Sequence, residues 1–473
     1  MAISSSRRKF IQQLGASSLL LAGGSIPALA EQKDLVEQRI LAADKKIAAN
    51  DRIRIACIGM GIMGFNDVRS SLQVPGVELV AACDLYTGRL ERSKELFGAN
   101  LMTTRDYREI LERSDIDAVI IAPSDNWHAR MTIDALNKGK AVYCEKPMVQ
   151  KISEGLPVIE AQRRTGKPLQ IGSQWVSGLS VQKAREYYKA GEIGQLTVIE
   201  AATDRQSALG AWQYTMPLDA SPETVDWERY IAGMGKMPYD PKKFFWWRNY
   251  RDFGTGMAGD LFVHLLSTIH TVLDSKGPTK IFSTGGLTYW KDGRDVPDVM
   301  TAIMEYPQTA EHPAFEVMLR VNFVSGMGES GTSRFVGSEG VMEIGGNSVT
   351  VRHNKMNKAP GLGGWDALQT YPQAMQDKIR QQYNQKYSPE DQSPGLKTSF
   401  VYQTPGGTDM HLAHVTNFYE AVRNNKPIVE DAAFGFRAAA PSLACNDSYF
   451  EKKIINWDPV NMKVVKEGKK SKT

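Results

Sequence analysis

The run Gly59-Met-Gly-Ile-Met-Gly64, directly after the apolar stretch Ile53–Ile58, constrains this chain more than any other feature. Glycines at this spacing let a chain turn sharply out of a strand, approach a diphosphate with bare backbone, and pack the next helix closely. The motif alone is weak, but its setting is specific. A strand pattern precedes it, a helical pattern follows, and Asp84 closes the next apolar run, Val77–Cys83, twenty residues past Gly64. Gly59 is expected to make the tight turn, Gly61 to admit the pyrophosphate and Gly64 to bring helix and strand together. The amides of Ile62 and Met63 would face phosphate oxygens at the helix N-terminus. Asp84 would accept hydrogen bonds from the adenosine ribose and repel a 2′-phosphate, favouring NAD. Arg89 keeps NADP open, since a nearby arginine can accommodate the extra phosphate.

Strand and helix patterns then alternate. Ile116–Ala122 and Lys140–Cys144 read as further strands, and Tyr107–Glu112 and Ala129–Asn137 as helices. Helix Ser153–Arg164 and strand Pro168–Gly172 close the unit. Such alternation implies an α/β fold with a doubly wound parallel sheet over residues 51–173. The character changes after about residue 175. Aromatic and turn residues dominate 205–256. Short β-rich segments follow: Lys280–Thr284, Met300–Tyr306, Phe315–Phe323, Arg334–Val336, Val341–Ile344 and Val349–Arg352. They predict a C-terminal α+β domain, residues 174–458, on a largely antiparallel open sheet. Residues 354–400 read as a long surface arm, with helices returning at His411–Asn424 and Ala432–Phe450.

The N-terminus reads as an address. Arg7-Arg8 precede a weakly apolar stretch ending Ala28-Leu-Ala30, the order of a twin-arginine signal peptide over residues 1–30. A charged lead-in covers 31–50, and a periplasmic destination is expected. Twin-arginine export moves folded proteins, which suits an enzyme that takes up its nucleotide first. No run elsewhere approaches a membrane span. A formal charge of +4 on 473 residues, with basic residues concentrated only in the tail 459–473, gives no case for nucleic acid. Cys57, Cys83 and Cys144 fall in apolar runs and read, with Cys445, as small hydrophobes rather than disulfides.

Two later motifs carry chemistry. Ala141-Val-Tyr-Cys-Glu145-Lys146-Pro147 puts a lysine at the end of a strand, where open α/β sheets bind ligands. There it could polarise a reacting hydroxyl, although a surface lysine after a strand is the simpler reading of Lys146 alone. In Gly254-Thr-Gly-Met-Ala-Gly-Asp260-Leu-Phe-Val-His264, Asp260 and His264 would share one helix face. Histidine suits proton exchange near neutral pH, and a satisfied core histidine is the competing reading. Trp247 and Arg248, within an aromatic run, could bind a sugar ring or simply build the core. Asp260 and His264 lack a convincing third ligand, so no metal is expected.

Ala122-Pro-Ser-Asp-Asn-Trp-His128 followed by Glu145-Lys146-Pro147 resembles the Gfo/Idh/MocA oxidoreductases, the glucose–fructose oxidoreductase and inositol dehydrogenase group. The resemblance covers roughly residues 50–345, more weakly 409–458. It implies that Ser124, Asn126 and His128 lie near the cofactor, Glu145 and Lys146 beside the nicotinamide, and Gln174 at the cleft. It makes His264 the proton-transfer residue and Asp260 a substrate ligand. Phe262 and Ser267 depart from the family pattern, which has a small residue and a second acid there. The expected activity is hydride transfer between a sugar or cyclitol hydroxyl carbon and NAD, or NADP. One alternative is a glycosidase that oxidises a glycoside transiently on retained NAD. Another is a non-catalytic sugar-binding protein that keeps the nucleotide. Homo-oligomerisation through the C-terminal sheet is expected; nucleic acid and membrane partners are not.

Overall fold

The computed structural model describes residues 52–393, 395 and 397–465. The expected signal peptide and lead-in, and the tail beyond residue 465, lie outside the described residues.

Six parallel strands form the first sheet: β1 Ile53–Ile58, β2 Val77–Cys83, β3 Met102–Thr104, β4 Ala118–Ile121, β5 Ala141–Glu145 and β6 Leu169–Gly172. Their order is β3-β2-β1-β4-β5-β6, the doubly wound arrangement expected. β4 and β5 are buried along their whole length, which is why they read as unbroken apolar runs. Helices α1 Ile62–Leu72, α2 Thr87–Phe97, α3 Tyr107–Leu111, α4 His128–Asn137 and α5 Ile152–Thr165 make the crossovers. The three-residue β3 has no pattern of its own. It is defined by pairing with β2.

α6 Leu179–Lys189 leads into β7 Leu196–Asp204, the strand at the centre of the second sheet. β8 Lys280–Gly286, β9 Val299–Tyr306, β10 Phe315–Asn322, β11 Ser330–Gly337, β12 Gly340–Ile344, β13 Ser348–His353, β14 Phe400–Gln403, β15 Ile455–Asp458 and β16 Lys463–Val464 complete it. The order is β14-β13-β12-β11-β7-β10-β9-β8-β15-β16. All pairings are antiparallel except β7 with β10. Strict alternation along β10 leaves one face buried and one open. The buried face packs on α7 Val263–Leu273 and on a long helix, Ala432–Glu451.

The stretch read as an arm contains α8 Gln373–Lys386, which buries no residue. α9 Met410–Asn424 returns to the first sheet, where Val415, Phe418 and Tyr419 join the cluster of Ile55, Cys57 and Ile120. The long helix is α10. All four cysteines are buried and free, as their apolar settings imply. No helix among the described residues is long and apolar enough to cross a membrane.

One local feature differs from the regular α-helix expected around Asp260. Ala258–Phe262 forms a π-helical turn, and α-helix begins only at Val263. A Cβ at Gly259 would lie 2.2 Å from Thr255 Cβ, so this close coil requires glycine.

Candidate active site

The ends of β1, β2, β4 and β5 open on a cleft lined on the first-domain side by Gly59, Gly61, Ile62, Met63, Asp84 and Lys146. Gly59 has φ +92°, and a Cβ there would lie 2.4 Å from Pro123 N. At Gly64 a Cβ would lie 1.9 Å from the Gly59 carbonyl oxygen. Strand, turn and helix therefore pack as the motif demands. A Cβ at Gly61 would meet only open space at the cleft wall. The bare backbone there and the start of α1 form a cradle that fits a diphosphate. Ile62 and Met63 sit in that first turn, as expected.

Asp84 borders the cleft, but its carboxylate is already engaged. Oδ2 accepts from the Met60 N–H at 2.8 Å and Oδ1 from the Tyr86 N–H at 2.9 Å. Arg89 Nη1 stands 3.4 Å from Oδ2. Asp84 thus ties the glycine turn to the end of β2. Any ribose hydroxyl would share it with Met60 and Arg89. Arg105 and Arg229 line the same end of the cleft.

At the opposite end three charged side chains meet. Lys146 Nζ donates to Asp260 Oδ1 at 2.8 Å and to the Asp260 carbonyl at 3.0 Å. Arg248 Nε donates to the same Oδ1 at 3.1 Å, and its guanidinium stacks 4.2 Å from the Trp247 ring centroid. Asp260 is buried, which alone would raise its pKa. The Lys146 and Arg248 charges outweigh burial and hold the carboxyl far below the usual range. Lys146, from the first domain, is therefore aimed by a carboxylate from the second. Trp247 and Arg248 line the cleft, as do Phe244 and Phe245, which with Tyr250, Trp227 and Tyr230 form an aromatic cluster on which Trp247 packs. The aromatic run thus serves both purposes considered for it.

The other expected residues are placed as follows. Glu145 is buried, which raises its pKa, and Oε1 accepts from Gln174 Nε2 at 2.6 Å. Gln174 also donates to Tyr143 OH at 3.0 Å and so positions Glu145 rather than lining the cleft. His128 lines the cleft, but Nδ1 lies 2.7 Å from the Pro147 carbonyl, so the ring braces the loop after Lys146. Burial lowers its pKa to about 4 and keeps it neutral. Ser124 Oγ donates to Asn126 Oδ1 at 2.6 Å; Ser124 lines the cleft and Asn126 does not. His264 stacks on Trp175, with ring centroids 4.6 Å apart. Its Nδ1 has no partner, and burial with the Lys146 charge holds its pKa well below the ordinary value. His264 is not among the cleft-lining residues.

Several lining residues escaped sequence reading, among them Arg105, Asp125, Tyr214 and Arg229. Asp125 lies inside the loop that was quoted for its neighbours. Tyr214 lies in a turn-rich stretch with no periodic pattern to mark it. Among the described residues no group of three or more His, Cys, Asp or Glu could hold a metal ion.

A strap from the second domain closes the end of the cleft beside Asp84 and Arg89. Thr87 N donates to the Thr224 carbonyl at 3.0 Å, Asp226 N to the Leu85 carbonyl at 2.9 Å, and Tyr86 OH to Asp219 Oδ1 at 2.6 Å. Tyr86 packs edge-on against Phe245, 5.3 Å between centroids.

A glycine cradle, strand-end lysine and second-domain clamp define a dinucleotide-binding protein of the α/β class. Residues 53–173 match the model of the Gfo/Idh/MocA oxidoreductase family, NAD-binding Rossmann fold. Over 145 residues the chain is 32% identical to an inositol 2-dehydrogenase of Salmonella typhimurium, covering 30% of this chain and 43% of the relative. Over 229 residues it is 28% identical to a glycosyl hydrolase family 109 protein of Akkermansia muciniphila, covering 42% of this chain and 48% of that protein. The chain thus spans less than half of each of these relatives' length. A levoglucosan dehydrogenase solved with NADH and levoglucosan shares the fold, with TM-score 0.59 and 16% identity over 86% of this chain and 99% of that one.

Proposed function

We propose that the protein is an NAD(P)-dependent oxidoreductase acting on a CH–OH group of a sugar, cyclitol or glycoside. The observation that carries this reading is Lys146, held by Asp260, whose carboxylate Arg248 shares, at the cleft end remote from the strap. The cradle of Gly59, Gly61, Ile62, Met63 and Gly64 would hold the pyrophosphate, with Asp84 and Arg89 beside the adenosine ribose. When bound, the nicotinamide supplies the hydride acceptor. Lys146 orients and polarises the substrate oxygen, because Asp260 fixes its ammonium while leaving one N–H free. Arg248 and Trp247 offer a donor fork and an apolar face to a sugar ring. The resemblance assigns hydroxyl proton exchange to His264.

The strap favours a second reading, a glycosidase that cycles its own nucleotide. At least five hydrogen bonds at the adenosine end, with Thr87 Oγ1 and Arg105 Nη2 also donating to the Thr224 carbonyl, suit retention better than exchange. Mass spectrometry of the nucleotide released from purified full-length chain, then a screen of polyols and glycosides, tests both readings. Net NADH formation supports the dehydrogenase. Aglycone release without it supports the glycosidase. Protein without nucleotide, and unable to bind it, refutes both.

The twin-arginine run supports export to the periplasm, to be checked by fractionating an Arg7→Lys, Arg8→Lys variant. The open face of the second sheet carries a cross-strand row of Phe282, Ile303 and Met318, each about two-fifths exposed. We assign self-association to that face, and an Ile303→Lys variant sedimenting as the wild type would remove the assignment.

A further inference from the structure

We propose that Asp125 is a further catalytic residue of this cleft, its Oδ1 taking up the proton of the substrate hydroxyl that is oxidised. The inference rests on the oxidoreductase reading and adds a group to it. Asp125 sits on the loop after β4, is 1% exposed and lines the cleft. One half of its carboxylate is fixed. Oδ2 accepts from the Thr255 N–H at 3.0 Å and from Thr255 Oγ1 at 2.7 Å. The other half, Oδ1, is buried and has no partner. Buried polar atoms are rarely left so. An orphaned carboxylate oxygen in a ligand cleft is explained by a group that arrives with the ligand.

The two Thr255 bonds to Oδ2 leave Oδ1 as the uncommitted oxygen. Thr255 stands in the glycine-rich turn just before Asp260, and its carbonyl accepts from Asn446 Nδ2 at 2.7 Å on α10. A nearby bond, from Asn126 N to the Phe253 carbonyl at 3.3 Å, ties the same loop to the same turn. Both domains therefore fix the loop.

The charges around Asp125 set a usable proton affinity. Asp260 faces it with negative charge, Arg248 and Lys146 with positive charge, and Thr255 hydrogen-bonds to its ionised form. Glu145, Cys144 and Tyr230 complete the titratable surroundings. Burial pushes Asp125 up to about 7, and Asp260 adds to the rise. His264 is shifted the opposite way and lies outside the lining.

The step balances. The substrate O–H bond breaks and an Oδ1–H bond forms, while the O–H electron pair stays on the substrate oxygen beside the Lys146 ammonium. The carbon's hydride pair leaves to the nicotinamide, the oxidant of the proposed reaction. The proton returns when the direction reverses.

The test reads protons, not turnover. Full-length protein is loaded with NAD⁺ or NADH as probes, in weakly buffered solution with a pH indicator. NADH lacks the ring's positive charge, so replacing NAD⁺ with it raises the proton affinity of a carboxylate alongside. Wild type should take up a large fraction of one proton near about pH 7. Asp125→Asn keeps an acceptor for Thr255 and should bind both nucleotides, yet lose about fivefold or more of the uptake. Thr255→Val removes a hydrogen bond to the ionised form and should move the uptake to higher pH. This second variant keeps the proposal testable if Asp125→Asn folds poorly. Glu145→Gln serves as the comparison, since that carboxyl also lines the cleft and is raised by burial. Wild-type uptake in Asp125→Asn, an unmoved profile in Thr255→Val, or loss in Glu145→Gln alone overturns the proposal. A wild-type chain that binds neither nucleotide overturns the oxidoreductase reading instead.

Discussion

Lys146 carries the sharpest expectation at the scale of single residues. Lys146→Met should keep nucleotide but lose about 10²–10⁴-fold in single-turnover reduction of bound NAD by an active sugar, the range typical of general acid–base groups. His264→Ala should lose a similar factor if its ring turns off Trp175 to meet substrate. If His264→Ala turns over normally, Trp175 stacking is the ring's whole role and Asp125 remains to handle the proton. Asp84 makes a separate expectation. Its carboxylate binds the Met60 and Tyr86 amides, so Asp84→Ser should loosen the glycine turn as well as the ribose site. Affinity for NAD should fall by about tenfold or more, about 1.4 kcal/mol, and the preference over NADP should shrink. A wild type that already prefers NADP would move the ribose contact to Arg89. The sequence made Lys146, Asp260 and the glycines legible because spacing encodes their place. It could not show that Asp260 clamps Lys146, because that pair spans 114 residues. Asp125 was passed over for a related reason, since its orphaned oxygen exists only once Thr255 has taken the other.

Elements show which physical signals were readable. β1, β4 and β5 could be read as strands because burial on both faces leaves uninterrupted apolar runs. β7 was missed although Leu196–Asp204 partly alternates, because its polar residues Thr197, Glu200 and Thr203 dilute the pattern. Its place at the centre of the second sheet comes from pairing with β10 and β11, which is non-local. The π-turn at Ala258–Phe262 has no periodic signature, only a glycine forced by Thr255. The strap is the element with the plainest consequence. Tyr86 OH to Asp219 is one of at least five bonds that hold it over the adenosine end. Asp219→Ala should remove about 1 kcal/mol of closure and speed NAD release by about fivefold, with little effect on Lys146 chemistry. Stopped-flow displacement of bound NADH measures it. An unchanged release rate would mean that the strap does not gate the nucleotide.

For the whole molecule, the two-domain plan was legible from the change in pattern after residue 175. The return of α9 to the first sheet was not, because an amphipathic helix does not name the surface it covers. The joint between the domains also gives the protein a pH-dependent stability. Asp125 in the unfolded chain has the ordinary carboxyl pKa of about 4. Folding raises it to about 7, mainly by burial. Between those values the folded state binds more protons than the unfolded state, so stability falls as pH rises. The penalty is absent below about pH 4 and complete above about pH 7, on the order of a few kcal/mol. Burial raises Glu145 as well and adds to the same slope. Asp260 acts oppositely. Its pKa is depressed, so its stabilisation is present above the ordinary carboxyl range and is lost only as pH falls through its far lower folded value. Thermal unfolding of nucleotide-free protein from pH 4 to 8 should carry this declining contribution, set against the opposite one from buried neutral His128 and His264, whose lowered pKa makes stability rise through the ordinary histidine range. Asp125→Asn should flatten that decline, since Asn cannot ionise yet still accepts from Thr255. Asp260→Asn should instead lower the midpoint at pH 7, because Lys146 and Arg248 would lose their shared counter-charge. If Asp125→Asn melts with the wild-type slope, Asp125 is ionised in both folded and unfolded chains, and the charge balance drawn for the cleft is wrong.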